Sequence, residues 1–229
     1  MAMKQQHVNG PERFAILASD VVLFTVKEKK LLVRLIDVDR PPFYEHVPGL
    51  PGGLIDATET AEEAARRHVA LKGGVVADKL YVEQFHTFSR VDRDPRNRVV
   101  AVGHLALTPW ENLSDEEQLS GVGMRWLPVE DCRVLAYDHS EMLIAALEHL
   151  RMRVRSTTIA KKLIPKEFTL TDLEEVYESI LGTSLDKRNF RKKILALDVL
   201  KELPDKKRKG KFRPAQLYSF RSSQIETVA

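Results

Sequence analysis

The chain is 229 residues long, 43% hydrophobic and 30% charged, with one cysteine, Cys132. That length suits one large domain or two ordinary ones with real cores, while a lone cysteine excludes an internal disulfide and a multi-cysteine metal cluster and points to a reducing, cytoplasmic compartment. The net charge of +3 is uneven: residues 1–154 carry 19 Lys and Arg against 23 Asp and Glu, and residues 155–229 carry 17 against 10, so the second part is the one charged to meet nucleic acid.

Residues 1–12 are polar and read as a loose N-terminus. The first apolar run, Phe14 to Val26, is broken by Ser19 and Asp20; it is too short and too polar for a membrane span and lacks a signal-peptide pattern, so no membrane partner is expected. Ala15 to Val26 and Leu31 to Ile36 read as strands joined by a polar turn. Arg34 projects from the second strand, toward a ligand or simply outward from the sheet. Pro41 through Pro48 reads as a loop, in which Phe43 and Tyr44 either line a site or pack.

Gly49 to Val75 is the most informative stretch. Gly52 and Gly53 permit close approach of backbone to phosphate. Thr60 with Glu63 forms a capping box that starts a helix at about Ala61, and Gly73 and Gly74 stop it. These residues resemble the Nudix box, G-x5-E-x7-R-E-U-x-E-E-x-G-U with U apolar. Gly53, Glu59, Arg67, Val69, Gly74 and Val75 fall in register, while His68, Leu71 and Lys72 stand where the pattern has glutamates. Those three share one helical face. In Nudix hydrolases that face holds Mg²⁺ against a pyrophosphate; an imidazole, an isobutyl group and an ammonium are not ligands for a hard divalent cation. The resemblance implies a Nudix fold, and the residues imply a disarmed one that requires no metal. One alternative stays open: Glu59, Glu62 and Glu63 form either a substitute acidic face or a cap for the helix dipole.

Tyr81 to Phe88 and Val99 to Leu107 read as strands flanking SRVDRDPRNR, where Arg90, Arg93, Arg96 and Arg98 surround a turn and are placed to converge on an anion. The segment QFHTFSRVDRDPRNRVVAVGHLAL resembles one found in Nudix proteins that handle ADP-ribose and in regulators derived from them, with His104 as a departure. The candidate ligand-binding residues are Arg34, Gly52, Gly53, Lys72, Phe88, Arg93 and Arg96. Lys72 either faces the ligand phosphates in place of a metal's charge or is a surface lysine favouring the helix end. Trp126 to Pro128 reads as a closing strand. LAYDHSEMLIAALEHLRMR reads as a helix with Met142, Ala145, Ala146, His149 and Leu150 inward, and His139 and His149 as structural. Arg151 to Pro165 reads as a basic connector, with the domain boundary near Arg155.

Beyond it, FTLTDLEEVYESILG carries a capping signal, placed at Thr171 to Glu174, apolar residues at helical spacing, and Gly182 as a stop. A second helix begins near Asp186 with Lys187, Arg188, Asn189, Arg191 and Lys192 available to DNA. Val199 to Leu203 and Ala215 to Phe220 read as the strands of a wing whose basic tip includes Lys207, Arg208, Lys209, Lys211 and Arg213. Such contacts give salt-dependent affinity without sequence preference.

This module closely resembles the winged helix-turn-helix of the Nudix-related regulators, the NrtR family. The expected fold is therefore α+β: a Nudix α/β/α sandwich with a mixed sheet over residues 13–154, then a winged helix-turn-helix over 155–229. The resemblance implies a homodimeric repressor of NAD or sugar metabolism genes that binds palindromic double-stranded operator DNA. It implies ADP-ribose or a related nucleotide or sugar-phosphate as effector. The competing reading from the residues is a Mg²⁺-dependent hydrolase of ADP-ribose-like diphosphates using Glu59, Glu62 and Glu63.

Overall fold

The computed structural model describes residues 14–120, 123–207 and 214–228, with the side chains of residues 205–207 also left aside. In its central strand, β1 (Ile16–Lys27), Val21, Val22, Leu23 and Phe24 are all fully buried. Successive side chains of a strand point to opposite faces, so a run buried at every position must be covered on both sides. Val21 and Leu23 face a cluster with Ala65 and Val69 of helix α1 (Ala61–Leu71). Val22 and Phe24 face Met142, Ala146 and Leu150 of helix α3 (His139–Ser156). Each such side chain contributes about 1.5–3 kcal/mol by leaving water, and the result is an α/β/α sandwich.

The sheet has the order β3-β2-β1-β6-β5, with β4 added to β1 and β7 to β2. β1 runs parallel to β6 (Val99–Leu107), and the other pairings are antiparallel, so the sheet is mixed. β2 (Lys30–Arg40) is longer than its apolar run suggests, and β5 (Tyr81–Phe88) and β7 (Met124–Pro128) fall where expected. Most of the segment Pro41 to Pro48 read as a loop is instead strand β3 (Tyr44–Gly49), and the glycines themselves open a short strand, β4 (Gly52–Leu54). Pro48 is tolerated because β3 is an edge strand, where a missing donor costs no ladder bond. A single helical turn, α2 (Asp115–Gln118), precedes β7.

Helix α3 continues through much of the stretch read as connector, since Val154 extends the buried Ala146 and Leu150 series by one more turn. A 3-10 turn at Ile159–Lys162 follows. Helix α4 (Leu170–Leu181) starts at Thr169, whose side chain caps with Asp172, two residues before the Thr171–Glu174 signal; Glu174 is buried instead. It ends at Gly182, in the left-handed region at φ 69°, which a residue without Cβ adopts at little cost. Helix α5 (Lys187–Ala196) is capped by Asp186, and β8 (Leu200–Lys207) pairs antiparallel with β9 (Ala215–Phe220). Leu217 and Tyr218, on opposite faces of β9, are both buried, and Phe168 forms a backbone bridge to Tyr218.

The core does not stop between the two sheets. One apolar cluster runs from Val22 and Leu150 through Ile159 and Phe168 to Leu173, Ile180, Ile194 and Tyr218. Polar contacts reinforce the junction: Arg151 Nε donates to the Ile180 carbonyl at 2.9 Å, a cation at a helix C-terminus, and Lys29 pairs with Glu175 at 3.2 Å.

Candidate functional site

A cavity of about 710 Å³ opens at one end of the Nudix-like sandwich. Its walls come from β4, the end of α1, the last residues of β2 and the loop after β5; Asp20 of β1 and His139 at the start of α3 also line it. Gly52 pairs with Asp20 across β4 and β1, and a Cβ there would lie 1.9 Å from Asp20 Oδ1. A Cβ on Gly53 would lie 2.8 Å from the His68 ring and 2.9 Å from Lys72 Nζ. Both glycines are therefore what lets this strand close against its neighbours.

Lys72, the C-cap of α1, lines the cavity and donates its ammonium to the Gly52 carbonyl. Burial, then the neighbouring Arg40, pushes its pKa below the ordinary value, while Asp20 pulls the other way. An anion in the cavity would oppose that shift. His68 is buried, with Nε2 3.0 Å from the Leu54 carbonyl and Nδ1 without a hydrogen-bond partner; burial lowers its pKa. Leu71 is exposed.

The arginines of the loop after β5 are each engaged by protein groups. Arg93 is buried and bound through Nε and Nη2 to Asp138 at 2.8 and 2.7 Å, with a further bond to Asp20 at 3.1 Å. Arg96 is clamped to Asp94 at 2.9 and 2.7 Å and lies over the Tyr137 ring. Arg90 pairs with Glu141 and Asp92, and Arg98 donates to backbone carbonyls. Arg93 and Arg96 do line the cavity, but carboxylates already neutralise them.

Arg34 and Phe88 do not line this cavity. Arg34 is buried beneath the end of α1, where Nε donates to the Gly73 carbonyl at 2.7 Å and Nη1 to the Leu119 carbonyl at 2.9 Å. It ties down the loop that follows the helix. Phe88 packs edge-on against Phe85 and His86 at the core margin.

Asp20, Arg40, Tyr137 and His139 are among the cavity-lining residues that the motif-based reading did not assign to the site. Arg40 becomes visible once β2 is carried past Ile36; its guanidinium donates to the Asp39 carbonyl at 3.0 Å. Tyr137, at φ 55°, packs against Tyr44 with ring centroids 4.6 Å apart and planes tilted by 56°. Of Phe43 and Tyr44, the latter therefore packs beside the site. His139 is structural as well as cavity-lining: its Nδ1 accepts the Leu50 amide at 2.9 Å, and burial lowers its pKa. His149 bonds Glu83 at 3.0 Å.

The donor set does not fit the divalent metal of Nudix hydrolases. Besides the substitutions at His68, Leu71 and Lys72, each glutamate of the alternative acidic face is engaged elsewhere. Glu59 holds Arg67, Glu62 holds Arg66 at 2.9 Å, and Glu63 accepts the Thr60 amide at 2.7 Å. Among the described residues no group of three His, Cys, Asp or Glu is placed to hold a metal ion. The Arg67 hydrogen bond is the main reason Glu59 titrates at about 2, below its ordinary 4.5. Its contribution to stability is thus present above pH 4.5 and lost as pH falls toward 2. Urea denaturation should show Glu59→Gln less stable than wild type at neutral pH, the difference narrowing across that window.

In the second module, α4, a short turn and α5 form a helix-turn-helix. Lys187, Arg188, Asn189, Arg191 and Lys192 are exposed along α5. The Asn189 amide bonds to Asp186 in the cap, and Arg191 reaches Thr171 of α4 at 3.1 Å. Lys207 ends β8, paired through its backbone with Ala215; Arg208, Lys209, Lys211 and Arg213 lie outside the described residues.

Comparison with known proteins places both halves. The NUDIX domain model matches residues 16–146 and the NrtR DNA-binding winged helix domain model matches residues 160–220. A protein of Acinetobacter baylyi described as an ADPR responsive transcriptional repressor NtrR is 33% identical over 207 residues, covering 90% of this chain and 82% of its own. Shewanella oneidensis NrtR, solved in complex with a 27mer DNA, superposes with a TM-score of 0.77 at 31% identity, covering 90% of this chain and 93% of that one. The NUDIX domain of the same Shewanella protein, solved with ADP ribose, superposes with a TM-score of 0.51 at 31% identity over 61% of this chain and 90% of that one. The fold and site thus define a Nudix domain joined to a DNA-binding winged helix. More narrowly, the chain belongs to the NrtR family. Among the described residues no helix is long and apolar enough to cross a membrane.

Proposed function

We propose that this protein is a cytoplasmic transcriptional repressor that binds double-stranded operator DNA through α5 and the wing and responds to ADP-ribose held, without turnover, in the Nudix cavity. The observation that carries the reading is the placement of Lys72. An ammonium lines the cavity on the helical face where hydrolases of this fold carry metal-binding carboxylates. A fixed cation offers the charge that a diphosphate needs and no means of activating water. Support for the ligand and for DNA comes from the relatives named above. An effector that is not consumed reports its own concentration, and ADP-ribose, a fragment of NAD, suits control of NAD metabolism genes.

The ligand-contacting set is revised to Gly52, Gly53, Arg40, Lys72, Arg96 and Tyr137, with Arg93 acting through Asp20 and Asp138 as a positioning residue. The DNA-contacting set remains Lys187, Arg188, Asn189, Arg191 and Lys192 with the basic wing. The sensing domain ends near Arg155, a division supported by the end of α3 at Ser156. The working unit is a homodimer on a palindromic site, which sedimentation of the free protein and its DNA complex tests.

The deciding experiment measures binding to the DNA upstream of the protein's own gene at physiological salt. The expected result is specific binding whose affinity ADP-ribose changes equally in EDTA and in Mg²⁺, without release of AMP. By linkage, saturating operator must change ADP-ribose affinity by the same factor. Mg²⁺-dependent AMP release in place of that coupling would return the chain to the hydrolases.

A further inference from the structure

A second cavity of about 710 Å³ lies away from the Nudix site, between the first residues of β5 on one side and, on the other, the 3-10 turn after α3 together with the base of the wing at Phe220. Its charge is one-sided. Asp78 is the sole carboxylate among the residues lining it, against four lysines and two arginines. The arginines are neutralised, Arg66 by Glu62 and Arg221 by Asp198. Lys161 is held by the Ser222 and Gln224 carbonyls.

Lys79, Lys162 and Lys166 are different. None forms an ion pair with another described residue; Lys162 lies over the Tyr81 ring, 5.4 Å from its centroid, and Lys79 and Lys166 are exposed. Like charges gathered in a concave site focus a positive potential and recruit an anion of matching charge. Size narrows the class further, since a cleft of this volume falls in the range of small-molecule sites, roughly 300–1,000 Å³. The cleft meets β9 at Ser219 and Phe220, the end of the strand away from Ala215, where β9 pairs with Lys207. DNA gripped by the tip and by α5 is not the natural occupant of that place.

We propose that this cleft is a second anion site, taking a small polyphosphate, either free or as the phosphate chain of a nucleotide, through Lys79, Lys162 and Lys166. Lys79 belongs to the sensing domain, while Lys162 and Lys166 belong to the segment leading into the winged helix. A ligand held by all three ties the two domains together, and its affinity depends on their relative placement. The proposal does not rest on ADP-ribose being the effector of the first site.

Calorimetric titration of the full chain with inorganic tripolyphosphate, with ADP-ribose added to saturation in a parallel series, tests it. The expected result is tripolyphosphate binding that persists under ADP-ribose and falls at least tenfold in the combined Lys79→Ala, Lys162→Ala, Lys166→Ala variant, with ADP-ribose binding retained as the check on folding. If the triple variant loses ADP-ribose binding too, single Lys162→Glu and Lys166→Glu variants that retain it must each show the loss. Unchanged tripolyphosphate affinity in variants that keep ADP-ribose binding overturns the proposal, as does complete displacement by ADP-ribose. So does a variant effect confined to the salt dependence of duplex binding, which would assign the lysines to the DNA backbone. Adding inorganic phosphate and ATP as separate probes distinguishes a site for single phosphates from one that needs a chain.

Discussion

Lys72→Glu is expected to lower ADP-ribose affinity about 100-fold or more, roughly 3 kcal/mol, the scale of truncating one partner of a desolvated charge pair with repulsion added. The variant puts a carboxylate back where the Nudix box has one, yet it does not rebuild a metal site, because His68 and Leu71 still flank it on that face. Lys72→Met should lose less, since it removes the charge without reversing it. Lys72→Arg should lose least. Calorimetry in EDTA, with circular dichroism to confirm the fold, reads the order directly. Equal affinity for wild type and Lys72→Glu would remove Lys72 from the ligand and with it the account of metal-free binding.

The largest expected effect on stability lies one layer deeper. Arg93, Asp138 and Asp20 are 3%, 1% and 8% exposed. Burial works against the guanidinium's charge, and the bond to Asp138 and the charge of Asp20 outweigh it, holding its pKa above the ordinary value. Removing one member of a buried ion cluster leaves the others uncompensated and costs about 3–5 kcal/mol, whereas replacing a pair by apolar groups is often close to neutral. Arg93→Met should therefore lower the urea midpoint by that equivalent, and Arg93→Met combined with Asp138→Leu should recover a large part of it. If the single variant is destabilised by less than 1 kcal/mol, the cluster is not the structural keystone that its burial implies. ADP-ribose affinity measured on the double variant then separates the cluster's positioning of Asp20 from its effect on folding.

What the sequence disclosed and what it hid divide along a physical line. Thr60 with Glu63, Gly182 after α4, and the degenerate positions His68, Leu71 and Lys72 were legible because their meaning depends on neighbours three or four residues away. The same locality misled at Thr169: two overlapping capping signals stood two residues apart, and burial of Glu174 decided between them. The partners of Arg34 and Arg93 were hidden for the opposite reason. Arg34 donates to the Gly73 and Leu119 carbonyls, 39 and 85 residues distant, and Arg93 to the Asp138 and Asp20 carboxylates, 45 and 73 residues distant. Tyr137 and Arg40 carry no motif at all, and only folding brings them to one cavity.

The way the winged module leaves and re-enters the rest of the chain bears on how motion can pass between the two sites. Thr157 bridges to Thr227, the Thr158 amide donates to the Glu226 carbonyl at 2.9 Å, and the Val228 amide donates to the Ser156 carbonyl at 2.8 Å. The neck below α3 is thus double, with one backbone going out and another coming back, laced together. A single-stranded neck swivels freely about its own bonds; two backbones hydrogen-bonded side by side resist that swivel, and the apolar cluster continuous across the junction adds to the resistance.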